Sequence, residues 1–500
     1  MTNDHDATLL DMDQVIIDPA CALQVPAALA LRRRVLPFAS VDGHVVVACL
    51  DPADTTTLEA VTRAVKCPVR AQPAEPASLH RALDRIFGSS QAGGAPAAHR
   101  RSADGRAAMD RDEENAVALC DELLQAAIVR QASDVHLDPG EKQVQVRFRV
   151  DGALERVRAL PTSVHNGVIS RFKVLAGMDI AEKRAPQDGR FTHRFGAAGH
   201  SIDIRVATLP TKYGERMTLR LLALQTESLT LERLGMSPRD LGAFTGAIGK
   251  PHGMILLTGP TGSGKTTTLY AAIRRLIAQR EQNIITIEDP IEYHIGGVAQ
   301  VEVDTADKVS FAKALRSVLR HDPDVVMIGE IRDRETADVA IKAALTGHLV
   351  LSTLHTNSAA SAVTRLVDMQ IERYLVAATL RMAVAQRLVR RLCRRCRRAR
   401  ELSAAEARML GNRAAAGRTV YEPGGCMYCA DRGFAGRIGL FEMLPMDESL
   451  ARRVAEGIEE GQIVEQMRVR RIPRLVDDAL EKLLAGETSV REALAAVTVW

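Results

Sequence analysis

The run Gly259-Pro260-Thr261-Gly262-Ser263-Gly264-Lys265-Thr266 has the composition and spacing of a loop that closes backbone N–H groups around phosphate oxygens. It follows the apolar stretch MILLT and precedes TTLYAAIRRLI, so strand, loop and helix come in the order that sets a helix N-terminus against a phosphate. In that setting Lys265 reaches the β- and γ-phosphates of a nucleoside triphosphate, and the Thr266 hydroxyl ligates Mg²⁺. A second apolar run, DVVMIGEIRD at 324–333, ends in Gly329-Glu330. A carboxylate at the end of a buried strand beside a phosphate loop orients or deprotonates the attacking water, and Glu330 is the expected catalytic base. ITIEDPIEY places Glu288, Asp289 and Glu292 within five residues. Carboxylates this close repel unless a cation compensates. The nucleotide's Mg²⁺ is the natural cation, which puts Glu288 and Asp289 with the cofactor and Glu292 with the catalytic set; a solvated acidic turn is the plain alternative. TGHLVLSTLHTN carries His348 and His355 on either side of one apolar strand, with His355 where a γ-phosphate sensor would sit.

Two further groups carry chemistry. Arg205 and Arg220, in DIRVATLPTKYGERMTLRLL, are either surface charges on a partly solvated sheet or fingers that cross a cleft to the γ-phosphate. Cys393-x-x-Cys396 and Cys426-x-x-Cys429 are separated by 29 residues and lie in turn-like stretches. Four thiolates at this spacing make a tetrahedral zinc site, structural because all four ligands come from the chain. The other four cysteines are scattered and read as small apolar residues. RLVRRLCRRCRRAR at 387–400 holds eight arginines in fourteen residues: a solvated basic face first, a contact for anionic phospholipid second.

The elements that must position these groups need several domains, since 500 residues correspond to roughly three at about 150 each. Residues 1–87 read as a small mixed domain for docking, with VVVACL as a strand and SLHRALDRIF as a helix. Residues 88–110 are rich in Gly, Ala and Ser and read as a flexible linker. From 111 to 225 a helix, AVALCDELLQAAIVR, precedes alternating strands such as QVQVRFRV, which is an α+β domain. From 226 to 500 short apolar strands alternate with helices, the pattern of a parallel α/β sheet, with the tetracysteine insertion at 390–432 and a helical region at 440–500. The charge is nearly balanced, 66 Lys+Arg against 62 Asp+Glu, and aromatics are 3%; both count against a nucleic-acid partner. The expected location is cytoplasmic, because no apolar run approaches a membrane span and the acidic N-terminus lacks a signal-peptide pattern.

Taken in order, GPTGSGKT, ITIEDPIEY, DPDVVMIGEIRD and TGHLVLSTLHTN make the chain resemble the secretion traffic ATPases, with QASDVHLDP, APQDGRF and VAQRLVRRLC adding to the match from about residue 111 onward. The tetracysteine insertion points to the assembly branch and away from the pilus-retraction motors; one short N-terminal domain and 500 residues make the chain most similar to the type II secretion ATPases, with the type IV pilus extension ATPases as the runner-up and a RecA-like nucleic-acid motor as a rival of another class. The resemblance implies a RecA-like ATPase using ATP and Mg²⁺, assembled as a homohexamer. It implies peripheral attachment to the inner membrane through a bitopic platform protein held by the N-terminal domain, together with a polytopic platform protein. It also implies that Arg205 and Arg220 approach the γ-phosphate, and that Arg316 and Arg320 lie at subunit contacts.

Overall fold

The computed structural model describes residues 9–22, 24–41, 43–87, 107–195, 200–222, 230–279, 281–303 and 310–497. Most of the stretch read as a linker, 88–106, lies outside them, and the helix that follows starts at Ala107, inside that stretch. The chain divides into two compact units: Met1–Leu224 with Gly424–Ala435, and Gln225–Pro423 with Gly436–Trp500.

The first unit holds two sheets. Strands β1 (Val35–Val41), β2 (His44–Cys49) and β3 (Val69–Pro73) form one, with β1 antiparallel and β3 parallel to β2. The amphipathic helix Pro76–Phe87 buries Leu79, Leu83 and Ile86 in the same core as Phe38 and Val47. The second sheet is antiparallel throughout, in the order β6-β5-β4-β9-β8-β7. Its strands are β4 (Asp134–Pro139), β5 (Gln143–Val150), β6 (Ala153–Pro161), β7 (Gln187–Phe195), β8 (His200–Thr211) and β9 (Gly214–Leu221). Strict alternation in β5 sends Val144, Val146, Phe148 and Val150 inward, against the helices Ala107–Val129 and His165–Leu175.

Residues 424–435 join this first unit, although the sequence pattern assigns them to the α/β core. The cause is a tyrosine knuckle. Tyr428 stacks its ring on Phe38 at 5.7 Å between centroids, its carbonyl accepts from the Ile16 N–H at 2.8 Å, and its hydroxyl donates to the Gln72 side chain. Four residues on, Arg432 pairs with Glu155 of β6 at 2.8 Å.

The second unit is built on a seven-stranded sheet in the order β12-β11-β13-β14-β10-β15-β18. The members are β10 (Gly253–Thr258), β11 (Ile284–Glu288), β12 (Ala299–Glu302), β13 (Val325–Ile328), β14 (Leu349–Leu354), β15 (Leu380–Leu392) and β18 (Phe434–Pro445), the last starting two residues before the unit boundary. The short pair β16 (Arg398–Glu401) and β17 (Thr419–Glu422) is antiparallel. The six strands from β12 to β15 run parallel. β10, β11, β13 and β14 are buried from end to end, which is why they read as mainly apolar runs rather than alternations. Helices Lys265–Gln279, Phe311–Val318, Arg334–Leu345 and Ala359–Asp368 supply the apolar stripes that cover the sheet. Past β18 the chain is helical, in four segments from Glu448 to Val497.

Candidate functional site

The phosphate loop, Asp289, Glu330 and His355 lie at the C-terminal ends of β10, β11, β13 and β14, where a wound parallel sheet collects its ligands. The phosphate loop leaves β10 with φ of +148° at Gly259, +78° at Gly262 and +87° at Gly264. Gly259 has no tolerance for a side chain: a Cβ there would lie 2.4 Å from the Gln386 carbonyl oxygen. Lys265 opens the next helix and is buried, with Nζ donating to the carbonyls of Gly259 at 2.7 Å and Pro260 at 3.2 Å. Burial pulls its pKa down to about 8, and the Arg387 charge acts in the same direction against that of Glu330. A phosphate at the loop would favour the charged form that burial disfavours.

Two buried polar atoms beside this loop have no hydrogen-bond partner among the described residues: Ser263 Oγ and Arg387 Nε. Unpaired buried donors are costly, and phosphate oxygens are the acceptors that this loop sequence is built to hold. The residues present therefore fit a nucleotide.

Glu330 follows β13 after one residue, Gly329. Its position is set by β14, where Ser352 Oγ donates to the Ile328 carbonyl at 2.8 Å and Thr353 Oγ1 to the Gly329 carbonyl at 2.7 Å. His355 Nε2 lies 3.1 Å from the Glu330 carboxylate, and Arg332 pairs with its other oxygen. Burial raises the Glu330 pKa, but the hydrogen bonds from Arg332 and His355 outweigh it and leave the carboxyl below its usual range. Arg332 also lies 4.0 Å from Asp289, so one guanidinium spans the ends of β11 and β13. Thr356, next to His355, is tied to β10 by its N–H bond to Thr258 Oγ1 at 2.7 Å.

The three carboxylates of ITIEDPIEY separate. Asp289 and Glu292 sit in the loop after β11, whereas Glu288 is 2% exposed. It accepts from Thr286 Oγ1 at 2.6 Å, Gln300 Nε2 at 3.1 Å and the Tyr270 hydroxyl. Its oxygens are committed to protein donors, so the direct cofactor contact expected of Glu288 has no geometric support. His348 also stays apart: its Nδ1 meets the Ala343 carbonyl at 3.0 Å in the turn before β14.

In the first unit, Arg205 and Arg220 are directly opposed on β8 and β9, and Arg190 of β7 is opposite Arg205. The three line a cleft of ≈ 540 Å³ with Asp188 and Thr218. Like charges placed side by side on a sheet repel. Asp134 of β4 offsets part of this, pairing with Arg220 at 3.0 Å and Arg149 at 3.8 Å. Arg205 has no ion-pair partner among the described residues. Arg190 escapes sequence reading because only strand register reveals it.

The four thiols Cys393, Cys396, Cys426 and Cys429 lie within 4.8 Å of one another. Sγ of Cys426 and Cys429 are 3.7 Å apart, against about 3.8 Å for two ligands of a tetrahedron with Zn–S near 2.3 Å. The Gly433 N–H donates to Cys429 Sγ at 3.1 Å, the kind of contact that supports a thiolate. This donor set fits zinc. The neighbouring arginine run is not one solvated face. Arg387 is buried at the phosphate loop, Arg390 pairs with Glu492 at 2.8 Å, and Arg400 pairs with Glu406 and Glu422 at 2.7 Å each. Arg394, Arg395 and Arg398 are the exposed members.

A phosphate loop, a strand-end glutamate held by a histidine and a paired acidic loop, all on a parallel sheet, define a P-loop ATPase. Comparison with known proteins narrows the class. The sequence profile described as "Type II/IV secretion system protein" matches residues 109–495, and an MshEN domain profile matches residues 5–93. The type II secretion system protein E of Pseudomonas aeruginosa is 48% identical over 383 residues, covering 77% of this chain and 76% of its own length. The type II secretion system ATPase E of Vibrio cholerae is 44% identical over 383 residues, covering 77% and 75%. Among solved structures, the pilus retraction motor PilT with bound ADP superposes with a TM-score of 0.53 at 26% identity, covering 75% of this chain and 96% of its own. The chain belongs to the type II/IV secretion system protein family and is an ATP hydrolase.

Proposed function

We propose that this chain is the motor of a type II secretion system, coupling ATP hydrolysis to assembly of a pseudopilus and export across the outer membrane. The observation that carries the reading is the complete phosphate loop with Glu330 and His355 at 3.1 Å, in a chain 44–48% identical to type II secretion ATPases over three-quarters of their length. Residues 259–266 hold the phosphates, Lys265 the β- and γ-oxygens, and Thr266 Mg²⁺, with Asp289 and Glu292 facing that ion. Glu330 orients the attacking water and His355 holds Glu330. Arg205 and Arg220 meet the γ-phosphate, and the chain works as a homohexamer in which Arg316 and Arg320 lie at subunit contacts.

The N-terminal domain docks on a bitopic inner-membrane protein and a polytopic platform protein receives the work. That makes the location cytoplasmic and peripheral on the inner membrane. Among the described residues no helix is long and apolar enough to cross a membrane. Any contact with anionic phospholipid falls to Arg394, Arg395 and Arg398.

Full-length chain immobilised against the cytoplasmic portions of secretion and pilus inner-membrane components tests the assignment. Capture of a bitopic secretion component is the expected result, and capture of a pilus component in its place moves the same ATPase to pilus extension. Zinc is checked separately: elemental analysis should find one zinc per chain, lost in Cys426→Ser. Zinc-free wild-type protein of unchanged melting temperature would remove the metal from the account.

A further inference from the structure

The buried tyrosine five residues past Lys265 has no role in phosphate binding, yet it is fully enclosed and its hydroxyl joins two parts of the site. Tyr270 donates to the Glu288 carboxylate and accepts, at a long 3.4 Å, from the Glu292 N–H. Its ring meets Tyr293 edge-on at 4.5 Å and 76°. Burial and the adjacent Glu288 charge push the phenol well above its usual pKa, so it remains a donor. Gln300 of β12 completes the frame: its amide donates to Glu288 at 3.1 Å and to the Tyr293 carbonyl at 3.1 Å, and accepts from the Ile295 N–H at 2.8 Å. The backbone of the loop carrying Asp289 and Glu292 is thus fixed at three points, residues 292, 293 and 295, to a single buried carboxylate. One of the two arms is rooted in the helix that begins at the phosphate loop.

We propose that Tyr270 and Gln300 are positioning residues for ATP hydrolysis: acting through Glu288, they hold the acidic loop in register with the phosphate-loop helix, so that Asp289 and Glu292 meet the nucleotide's Mg²⁺. This rests on the reading that those two carboxylates face the ion. A buried carboxylate with three donors is rigid, and a misplacement of about 1 Å at a reacting centre costs on the order of a hundredfold in rate. A softened rather than displaced loop costs less.

The test uses full-length assembled protein and three readouts: kcat, the dissociation constant of a fluorescent ATP analogue, and the Mg²⁺ concentration giving half-maximal rate. Tyr270→Phe keeps the ring and removes the hydroxyl. It should lower kcat about tenfold and raise half-saturating Mg²⁺ several-fold, with nucleotide affinity within about twofold. Gln300→Leu should give the same signature, which a general loss of stability does not produce. If both variants keep the wild-type Mg²⁺ dependence, whatever happens to their melting temperature, the positioning role is overturned. Asp289→Asn and Glu292→Gln separate the two layers. If they shift the Mg²⁺ dependence and Tyr270→Phe does not, only the positioning role fails; if they too leave it unmoved, the acidic-loop reading falls and takes the proposal with it.

Discussion

Arg205→Ala should reduce kcat by about 10³ or more, the range expected for an arginine that meets a transferring γ-phosphoryl group, with little change in KM for ATP. The strand register makes the expectation specific. Arg190, Arg205 and Arg220 form a row of three like charges across β7, β8 and β9, and among the described residues only the Arg220 end has an ion pair, with Asp134. A row of unshared cations lining a cleft is costly by itself and is relieved by an anion. Because Asp134 already neutralises part of the Arg220 charge, Arg220→Ala should lose less than Arg205→Ala, and Arg190→Ala should show whether the third member of the row contributes. Steady-state ATPase rates of the assembled protein decide the matter. Rates within twofold of wild type for Arg205→Ala and Arg220→Ala alike would return these residues to plain surface charges.

Glu330→Gln should lower kcat by about 10²–10⁴ while ATP remains bound, since the substitution keeps the shape and removes only the charge that orients the water. The hydrogen bonds from Arg332 and His355 hold the Glu330 pKa below the usual carboxylate range. A carboxyl with a depressed pKa is ionised at every pH above that value, so Glu330 should place no acid limb on kcat between pH 6 and 8. It is also a weak base, which fits a group that orients water and takes the proton late. The comparison to make is single-turnover hydrolysis against nucleotide binding: unchanged turnover in Glu330→Gln would assign the water to another residue. His355→Ala should give a smaller loss in the same assay, because it removes a holder of Glu330 and leaves the carboxylate.

Much of this site is legible from sequence because each motif sits at the end of a strand buried on both faces. Such strands read as apolar runs, and what closes one stands out: the glycine loop that opens at Gly259, and the polar Glu330 and His355. What was hidden depends on side-chain direction and pairing, which a run of letters does not carry. Glu288 and Asp289 are adjacent and chemically alike, yet Glu288 is the last residue of β11 and turns into the core, while Asp289 begins the loop. Arg387 looks like one of eight arginines, but it lies on β15 beside the phosphate loop while its neighbours find carboxylates elsewhere. Arg190 becomes notable only through Arg205 on the adjacent strand and Arg220 on the one beyond. The tyrosine knuckle was hidden for a different reason: Tyr428 and Gln72 are 356 positions apart, and no local pattern announces the contact.

That knuckle has a consequence for how the chain is made. The first unit consists of residues 1–224 together with 424–435, so a ribosome must add about 200 further residues before its last piece emerges. At roughly 5–20 residues per second this is a delay of about 10–40 s. Through that interval the surfaces around Phe38, Ile16 and Glu155 wait without Tyr428 and Arg432, while the strands and helices of the ATPase core are being synthesised. The N-terminal part of this protein is therefore first to be translated but cannot be first to be finished. A nascent chain arrested before residue 424 should expose an apolar face that the released protein covers.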